Sequence, residues 1–275
     1  MKVVSFNVNS VRIRLHQLKA VIDNHSPDII GLQETKVTDE EFPFDEIREL
    51  GYEAICHGQK THYGVALLSR VAARSPAKGF IWDDDDVQRR FVSGDFTLED
   101  GRTLTVMNGY FPQGENRSHP QKFPNKVNFY ASLNRLLREQ YDPDNPVIVM
   151  GDMNVAPLDL DIGIGEPNRK RWLKDGKCSF LPEEREWLQQ VMDWGMFDTF
   201  RAHHPETDDL FSWFDYRSRG FEREPRRGLR IDLILASNGL QNICTDAGID
   251  YDVRAMDKPS DHCPIWTAFD TRITG

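Results

Sequence analysis

The stretch Val147–Pro157, which reads VIVMGDMNVAP, suggests the architecture of the whole chain. Its first four residues form an unbroken apolar run between a proline and a glycine, which is typical of a short strand buried on both faces. Asp152 and Asn154 follow at the carboxyl end of this strand, where layered α/β proteins tend to bind ligands. A simple turn is the alternative, because Gly-Asp followed by Asn is also ordinary turn chemistry.

Length and composition indicate one globular domain over residues 1–275. The chain has 275 residues, of which 39% are hydrophobic, and it shows no repeat or low-complexity linker. No apolar run reaches the length of a membrane span, and the start lacks the cleavage site of a signal peptide. Four scattered cysteines without a C-x-x-C pair favour reduced thiols. We therefore expect a cytoplasmic monomer without membrane association.

The charge distribution is more informative than the formal net charge of −10, which argues against a passive nucleic-acid binder. A first basic stretch, Arg169–Lys177, holds five basic residues and one acid. A second basic stretch, Arg217–Arg230, holds six arginines and two glutamates. Such stretches on an acidic body suit a protein that grips an anionic polymer locally, and solvated loop charge is an equal alternative. The acidic run Asp83–Asp86 is predicted to be a solvent-exposed loop.

Hydrophobic periodicity predicts alternating strands and helices. The predicted strands cover residues 2–8, 28–32, 52–56, 64–69, 90–96, 103–108, 147–150, 230–235 and 264–269. The predicted helices cover residues 12–24, 42–50 and 122–140, with another beginning near Pro182. Residues 158–181 are interpreted as a polar, basic insertion, and the tail beyond Phe269 as frayed.

Polar side chains recur where the predicted strands end or begin. These residues are Asn7, Glu34, Tyr110, Asp152, Asn154, Asp232, Asp261 and His262. Oxygen donors without a thiolate suit Mg²⁺ or Mn²⁺, and Glu34 and Asp261 are the expected direct ligands. Asp152 is the candidate to orient or deprotonate water. His262, supported by Asp232, would donate a hydrogen bond to a phosphoryl oxygen, although a lone histidine is often only packed.

Six segments in order resemble the motif series of the endonuclease/exonuclease/phosphatase superfamily, and most closely its exonuclease III and AP endonuclease family. They are Asn7–Asn9, Leu32–Lys36, Gly109–Pro112, Gly151–Asn154, Arg230–Asp232 and Ser260–His262. The resemblance covers nearly the whole chain. It implies an α/β fold of the deoxyribonuclease I type, a four-layer sandwich in which two mixed β-sheets pack face to face between helices.

The resemblance also implies roles for individual residues. Five residues are expected at the metal site: Glu34, Asn7, Asp261, Asp152 and Asn154. In the resemblance Asp152 activates water, Asn154 positions the phosphate, and His262 with Asp232 stabilises the developing charge. Tyr110 matches an active-site tyrosine. Ser10 and Cys263 depart from the usual residues, but both are small and leave this chemistry intact.

Six further residues are expected to contact DNA. Trp213, Phe214 and Leu229 resemble the walls of a pocket for a deoxyribose without its base, and an apolar slot would exclude a sugar that still carries one. Core packing is the alternative for these aromatic residues. The other three predicted DNA contacts are Gln113, Lys122 and Arg169.

The expected protein is a Mg²⁺-dependent phosphodiesterase of duplex DNA, with Mn²⁺ as a substitute. It would cut 5′ of abasic sites, remove nucleotides from 3′ ends and clear 3′ phosphates. The balance of these activities, and the use of one or two metal ions, stay open. One alternative is a phosphatase of the same superfamily acting on inositol lipids or other small phosphates, which the basic stretches argue against. The other is an inactive binding module, which the presence of Glu34, Asp152 and His262 argues against.

Overall fold

Strand β8 (Val147–Asp152) is buried along its whole length, in agreement with its apolar sequence. Val147 and Val149 pack beneath helices, whereas Ile148 and Met150 point into the core on the opposite face. Successive side chains of a strand alternate between faces, so a strand that is apolar on both faces must be covered twice. This requirement produces a layered molecule.

The computed structural model describes residues 1–84 and 87–275. The other strands are β1 (Lys2–Asn7), β2 (Ile29–Gln33), β3 (Glu53–His57), β4 (Val65–Ser69), β5 (Arg74–Lys78), β6 (Phe91–Leu98), β7 (Thr103–Tyr110), β9 (Met196–Asp198), β10 (Asp232–Ser237), β11 (Cys244–Ile249), β12 (Ile265–Phe269) and β13 (Ile273–Thr274). The helices are α1 (Leu15–His25), α2 (Phe44–Glu49), α3 (Lys122–Gln140), α4 (Glu166–Lys174), α5 (Pro182–Asp193), α6 (Thr199–His203) and α7 (Tyr251–Arg254).

Two mixed sheets pack face to face between layers of helices. The first sheet has the strand order β11-β12-β1-β2-β4-β3, and the second has β13-β6-β7-β8-β10-β9, with β5 added beside β6. The pairs β1–β2 and β7–β8 are parallel, and the remaining pairs are antiparallel. Helices α1, α2 and α7 cover the first sheet, and α3 and α5 cover the second. The predicted four-layer fold is confirmed.

A buried polar link ties the two sheets together close to one edge. Asn108 Nδ2 donates to Leu32 O at 2.9 Å and to Ala66 O at 3.0 Å, although Asn108 itself belongs to the second sheet. Gln33 Nε2 donates to Asn108 Oδ1 at 2.6 Å. The side chains of Asn108 and Gln33 are fully buried, so their amide N–H groups depend on these hydrogen bonds for partners.

Several local expectations need correction. The tail beyond Phe269 is not simply frayed, because β13 pairs with β6 through Ile273 and Leu98. The region 158–181 contains helix α4. In contrast, the solvent-exposed loop predicted for the acidic run is confirmed at Asp83 and Asp84, and Asp83 also accepts a hydrogen bond from the backbone N–H of Phe80. Residues 85 and 86 lie outside the described residues. Within the described ranges, no helix is both long and apolar enough to cross a membrane.

Gly151, the glycine of the central strand β8, should not tolerate a side chain. Its φ is 146°, and an added Cβ would lie 1.9 Å from Gly109 O on the neighbouring strand. We expect Gly151→Ala to lower the free energy of unfolding by about 4 kcal/mol, measured by urea denaturation. Gly101→Ala is the matched control, since its φ is also positive, at 86°, but nothing lies within 4 Å of the added Cβ. Equal losses in the two variants would contradict the steric argument.

Candidate active site

The sandwich brings the predicted site residues to one edge. Register aligns Tyr110 of β7 with Asp152 of β8, and Asp152 with Asp232 of β10, so three neighbouring strands present these side chains side by side. Asn7 ends β1 in the first sheet, and Glu34 directly follows β2. The Asn108 link lies beneath, so both sheets contribute to a single site.

A carboxylate–histidine cluster forms the centre of the site. Glu34, Asp152 and His262 each place one ligand atom within 4.8 Å of the others. Asn7 Nδ2 bridges the two acids, donating to Glu34 Oε1 at 2.9 Å and to Asp152 Oδ2 at 3.0 Å. Its Oδ1 accepts the backbone N–H of Asn9 at 3.0 Å, so Asn7 presents its amide hydrogens to the cluster.

His262 is held by Asp232. Its Nδ1 lies 3.0 and 2.8 Å from the two carboxylate oxygens of Asp232, which directs Nε2 into the site, 3.7 Å from Asp152 Oδ2. Burial alone would lower the pKa of His262, but the charges of Asp232 and Asp152 outweigh it and raise the pKa to about 10. At neutral pH the imidazolium therefore carries a proton on Nε2 that it can donate.

Asp152 and Asn154 share a tight turn rather than an extended strand. Asn154 has a left-handed backbone with φ of 52°, and its N–H donates to Asp152 Oδ1 at 3.1 Å. Its side-chain Nδ2 donates to Phe111 O at 3.0 Å, which leaves one amide hydrogen and Oδ1 free. Burial, together with the nearby carboxylates, raises the pKa of Asp152 to about 7, against the lowering effect of His262.

Asp261 lies in the same site but has its own partners. Its carboxylate accepts hydrogen bonds from Asn9 Nδ2 at 2.9 Å and from Trp213 Nε1 at 3.0 Å. Burial would raise the pKa of Asp261, but His262 and these donors lower it. Glu34 behaves similarly, because Lys36 Nζ at 2.9 Å and Asn7 overcome its burial and lower its pKa.

Tyr110 is held by a buried arginine. The guanidinium of Arg90 lies 4.6 Å from the centre of the Tyr110 ring and 4.1 Å from that of Tyr63, against both rings. Arg90 also donates to Tyr110 O at 3.0 Å. Burial and the charges of Glu34 and Asp152 raise the pKa of Tyr110 well above its usual value, so the hydroxyl stays protonated.

These residues lie at the bottom of a cleft of about 400 Å³. The cleft is lined by Glu34, Tyr110, Gln113, Asp152, Asn154, Trp172, Lys177, Ser179, Trp213, Asp215, Arg217, Ile231, Asp261 and His262. Lys177 and Arg217 come from the two basic stretches. A hollow that shares Trp172 and Trp213 with the cleft adds Arg171, Arg223 and Arg227 from the same stretches. The two basic stretches thus meet beside the site.

The predicted sugar pocket is only partly supported. Trp213 lines the cleft, but Phe214 is fully buried against Phe211, Phe221 and Tyr251. Phe214 therefore packs in the core, as the alternative interpretation held. Leu229 is also fully buried, in a cluster against which Trp213 packs.

A side chain without exposed surface cannot contact an extruded sugar in this conformation. The wall roles predicted for Phe214 and Leu229 therefore gain no support from this conformation and stay predictions. Ile231, which the sequence reasoning missed, lines the cleft beside Trp213 instead.

Of the other predicted DNA contacts, only Gln113 lines the cleft. Lys122 is exposed outside it and pairs with Glu115 at 2.5 Å. Arg169 pairs with Asp159 at 2.8 Å and lines a hollow that shares no residue with the cleft. These internal ion pairs compete with any phosphate contact of Lys122 and Arg169.

Sequence reasoning missed other residues of the site. Trp172 was the detectable one, because a tryptophan stands out in an otherwise polar, basic stretch. Lys177 Nζ lies 3.6 Å from the centre of its ring. Lys36 and Asn9 lay within recognised motifs without an assigned role. Arg90 and Tyr63 gave no local signal, since their contact with Tyr110 exists only in the folded chain.

The fold and the site define a hydrolase-type cleft of the two-sheet sandwich class, and comparison with known proteins places the chain in a family. The endonuclease/exonuclease/phosphatase family matches residues 4–262, so the chain belongs to this family. It is 55% identical over 269 residues to exodeoxyribonuclease III of Haemophilus influenzae, covering 98% of this chain and all of that one.

Solved structures agree with this assignment. An AP endonuclease from Archaeoglobus fulgidus is 31% identical with a TM-score of 0.88, covering 98% of this chain and 99% of that one. A 3′ phosphatase from Neisseria, NExo, bound to a product DNA hairpin, is 34% identical with a TM-score of 0.87 and the same coverage.

Replacing Asp232 should change the protonation of His262. Asp232→Asn keeps the size of the side chain but removes the charge that chiefly raises the histidine pKa, so we expect this pKa to fall from about 10 towards or below its ordinary value of 6.5. An NMR titration of the imidazole in metal-free protein measures it. Asp250→Asn is the control, because its carboxylate contacts His25 instead. A His262 pKa that stayed near 10 in Asp232→Asn would refute the assigned cause.

Proposed function

We propose that the protein is a Mg²⁺-dependent DNA phosphodiesterase of base excision repair. It acts as an exodeoxyribonuclease from 3′ ends, as an AP endonuclease that cuts 5′ of abasic sites, and as a 3′-phosphatase. The observation that carries this proposal is the cluster of Glu34, Asp152 and His262 at the bottom of a cleft flanked by both basic stretches. The relatives' names point to the same chemistry.

The donor set fits a hard divalent cation. Glu34 supplies a carboxylate of lowered pKa, and Asp152 lies beside it with no thiolate in the cluster. Glu34 is the principal ligand we propose, with Asp152, Asp261, Asn154 and Asn7 nearby. Because Asn7 turns its amide hydrogens towards the cluster, its side-chain amide would have to rotate to offer Oδ1 to an ion. Mg²⁺ is preferred on this chemistry, and Mn²⁺ is a substitute. A bound ion would supply Lewis-acid stabilisation of the charge that develops on the phosphate oxygens.

The residues of the chain account for the remaining steps. Asp152, whose pKa is raised to about 7, accepts the proton of the attacking water. His262 donates from Nε2 to a phosphate oxygen while Asp232 holds its other nitrogen. Asn154 orients the phosphate with its free amide hydrogen. The bond between phosphorus and the 3′ oxygen breaks in all three activities, so one set of residues serves them all.

The cleft walls favour a nucleic acid over a small phosphate ester. Lys177 and Arg217 flank the cluster, and Arg223 extends the positive surface into the adjoining hollow. Such a surface can follow a polyanion across several phosphates. Trp213, which is half-buried, provides most of the apolar surface for a deoxyribose without its base, and Ile231 adds only the small part of its side chain that is exposed in the cleft. Cytoplasmic location as a monomer is part of the same proposal, supported by four free cysteines.

An end-labelled duplex with one abasic analogue tests the proposal. With Mg²⁺ we expect a nick 5′ of the lesion, and none with EDTA. Asp152→Asn should reduce the rate by at least about 10⁴-fold, because the amide cannot accept a proton from water. The amide also lacks the negative charge of the carboxylate, and the two losses add. Asp23→Asn is the control, since Asp23 pairs with Lys19 on the exposed face of helix α1, away from the cleft.

Each other outcome contradicts a stated part of the proposal. Shortening from the 3′ end without a nick would leave the phosphodiesterase chemistry intact but refute lesion recognition by Trp213 and Ile231. Hydrolysis of a small phosphate ester alone would favour the phosphatase. Full activity of Asp152→Asn would refute the role given to Asp152.

A further inference from the structure

Helix α3 presents two buried polar side chains to the back of the turn 152–154. Lys126 Nζ donates to Asn154 O at 2.8 Å, and the Tyr130 hydroxyl donates to Met153 O at 2.8 Å. Residues four apart lie on the same face of a helix, so both donors reach consecutive carbonyls of one short segment. Both side chains are buried, at 0% and 1% exposure.

Lys126 is also part of a fully buried ion pair. Its Nζ lies 2.5 Å from Glu184 Oε1 and 3.3 Å from Gln113 O. The other carboxylate oxygen of Glu184 accepts the backbone N–H groups of Ser179 and Leu181, both at 2.8 Å. Gln113 and Ser179 line the cleft, so this single pair fixes two of its walls as well as the turn. Charges buried to this extent persist only when all their partners are in place.

The turn needs this support because of its backbone. Asn154 has φ of 52°, a left-handed conformation that asparagine adopts more easily than most residues but that still depends on the hydrogen bonds around it. Its side chain points at the site only while the Asn154 Nδ2 bond to Phe111 O is kept. We propose that Lys126 and Tyr130 are positioning residues that hold Asn154 in its working geometry from behind, an inference that rests on the function proposed for Asn154.

Tyr130→Phe is the first test, because it removes only the hydroxyl. We expect kcat on the abasic duplex to fall by about 10-fold to 100-fold through the misplacement of Asn154, with KM changed less than about twofold. Tyr52→Phe is the matched control. The Tyr52 hydroxyl is equally buried and donates to a backbone carbonyl, Pro27 O, but it lies in the outer layer of the first sheet. Both variants should lose similar stability, and Tyr52→Phe should keep the wild-type kcat.

A double-mutant cycle with Asn154→Ala separates positioning from general damage. If Tyr130 acts through Asn154, Tyr130→Phe should lower kcat less than about twofold once Asn154 is alanine. If the kcat losses of Tyr130→Phe and Asn154→Ala multiplied in the double variant, the positioning role of Tyr130 would be refuted. A kcat of Tyr130→Phe equal to that of Tyr52→Phe would refute it too, and the proposed function would stand in both cases. An unchanged kcat in Asn154→Ala would instead refute the proposed function of Asn154, and the inference with it.

Two further measurements test the Tyr130 hydroxyl and the Lys126 amine separately. Hydrogen exchange of the Met153 and Asn154 amides should be about tenfold faster in Tyr130→Phe, as expected for one lost buried hydrogen bond, and unchanged in Tyr52→Phe.

For the lysine, Lys126→Met combined with Glu184→Gln removes both charges, while the amide oxygen introduced by the second change can still accept the two backbone N–H groups. This folded double variant should also lose kcat by at least about tenfold. Wild-type exchange rates, or a fully active double variant, would contradict the role of the corresponding donor.

Discussion

The position of one sheet relative to the other is the constraint on which the site depends, and Asn108 sets it. Its amide reaches across the interface to Leu32 O and Ala66 O. A Cβ on Gly31 would lie 2.6 Å from Asn108 Oδ1, so the close approach of the sheets requires glycine there. Glu34 lies two residues beyond Leu32, and Tyr110 two beyond Asn108. The short distances of the site follow from this link, since packed sheets do not slide freely.

The site concentrates negative charge yet gives its carboxylates different properties. Asp232 is neutralised by the imidazolium of His262, and Glu34 by Lys36. Asp152 Oδ2 lies 3.7 Å from Nε2 of the same histidine, which is farther than Asp232 lies from Nδ1, and the pKa of Asp152 is near neutrality. Environments that separate the pKa values of neighbouring acids assign them to different tasks. The partners of Asp152, and not its residue type, therefore distinguish this proposed proton acceptor from Glu34 and Asp232.

Local patterns predicted most of the strands and the main polar residues, whereas the four-layer arrangement was predicted from the resemblance to a family. Apolar strands that stop on Glu34, Asp152 or Asp232 can be found without knowing the fold. Side-chain direction outside regular strands does not follow from local patterns, which is why core packing of Phe214 was only an alternative and Ile231 was missed. The bend that buries Phe214 is set by contacts with distant parts of the chain. Ion pairs such as that of Arg169 with Asp159 likewise form only in the folded chain, so local sequence does not reveal them.

The alignment of Tyr110, Asp152 and Asp232 on three adjacent strands bears on how such a molecule diversifies. Insertion of one residue within any of these strands would turn its side chains to the opposite face and dismantle the reaction centre. The basic stretches belong to a loop-and-helix region and to an irregular segment, where changes of length and composition are tolerated. Catalysis and substrate preference therefore reside in separately mutable parts of the chain. Descendants of this sequence can acquire new preferences among nucleic-acid ends and lesions while inheriting the same hydrolytic centre.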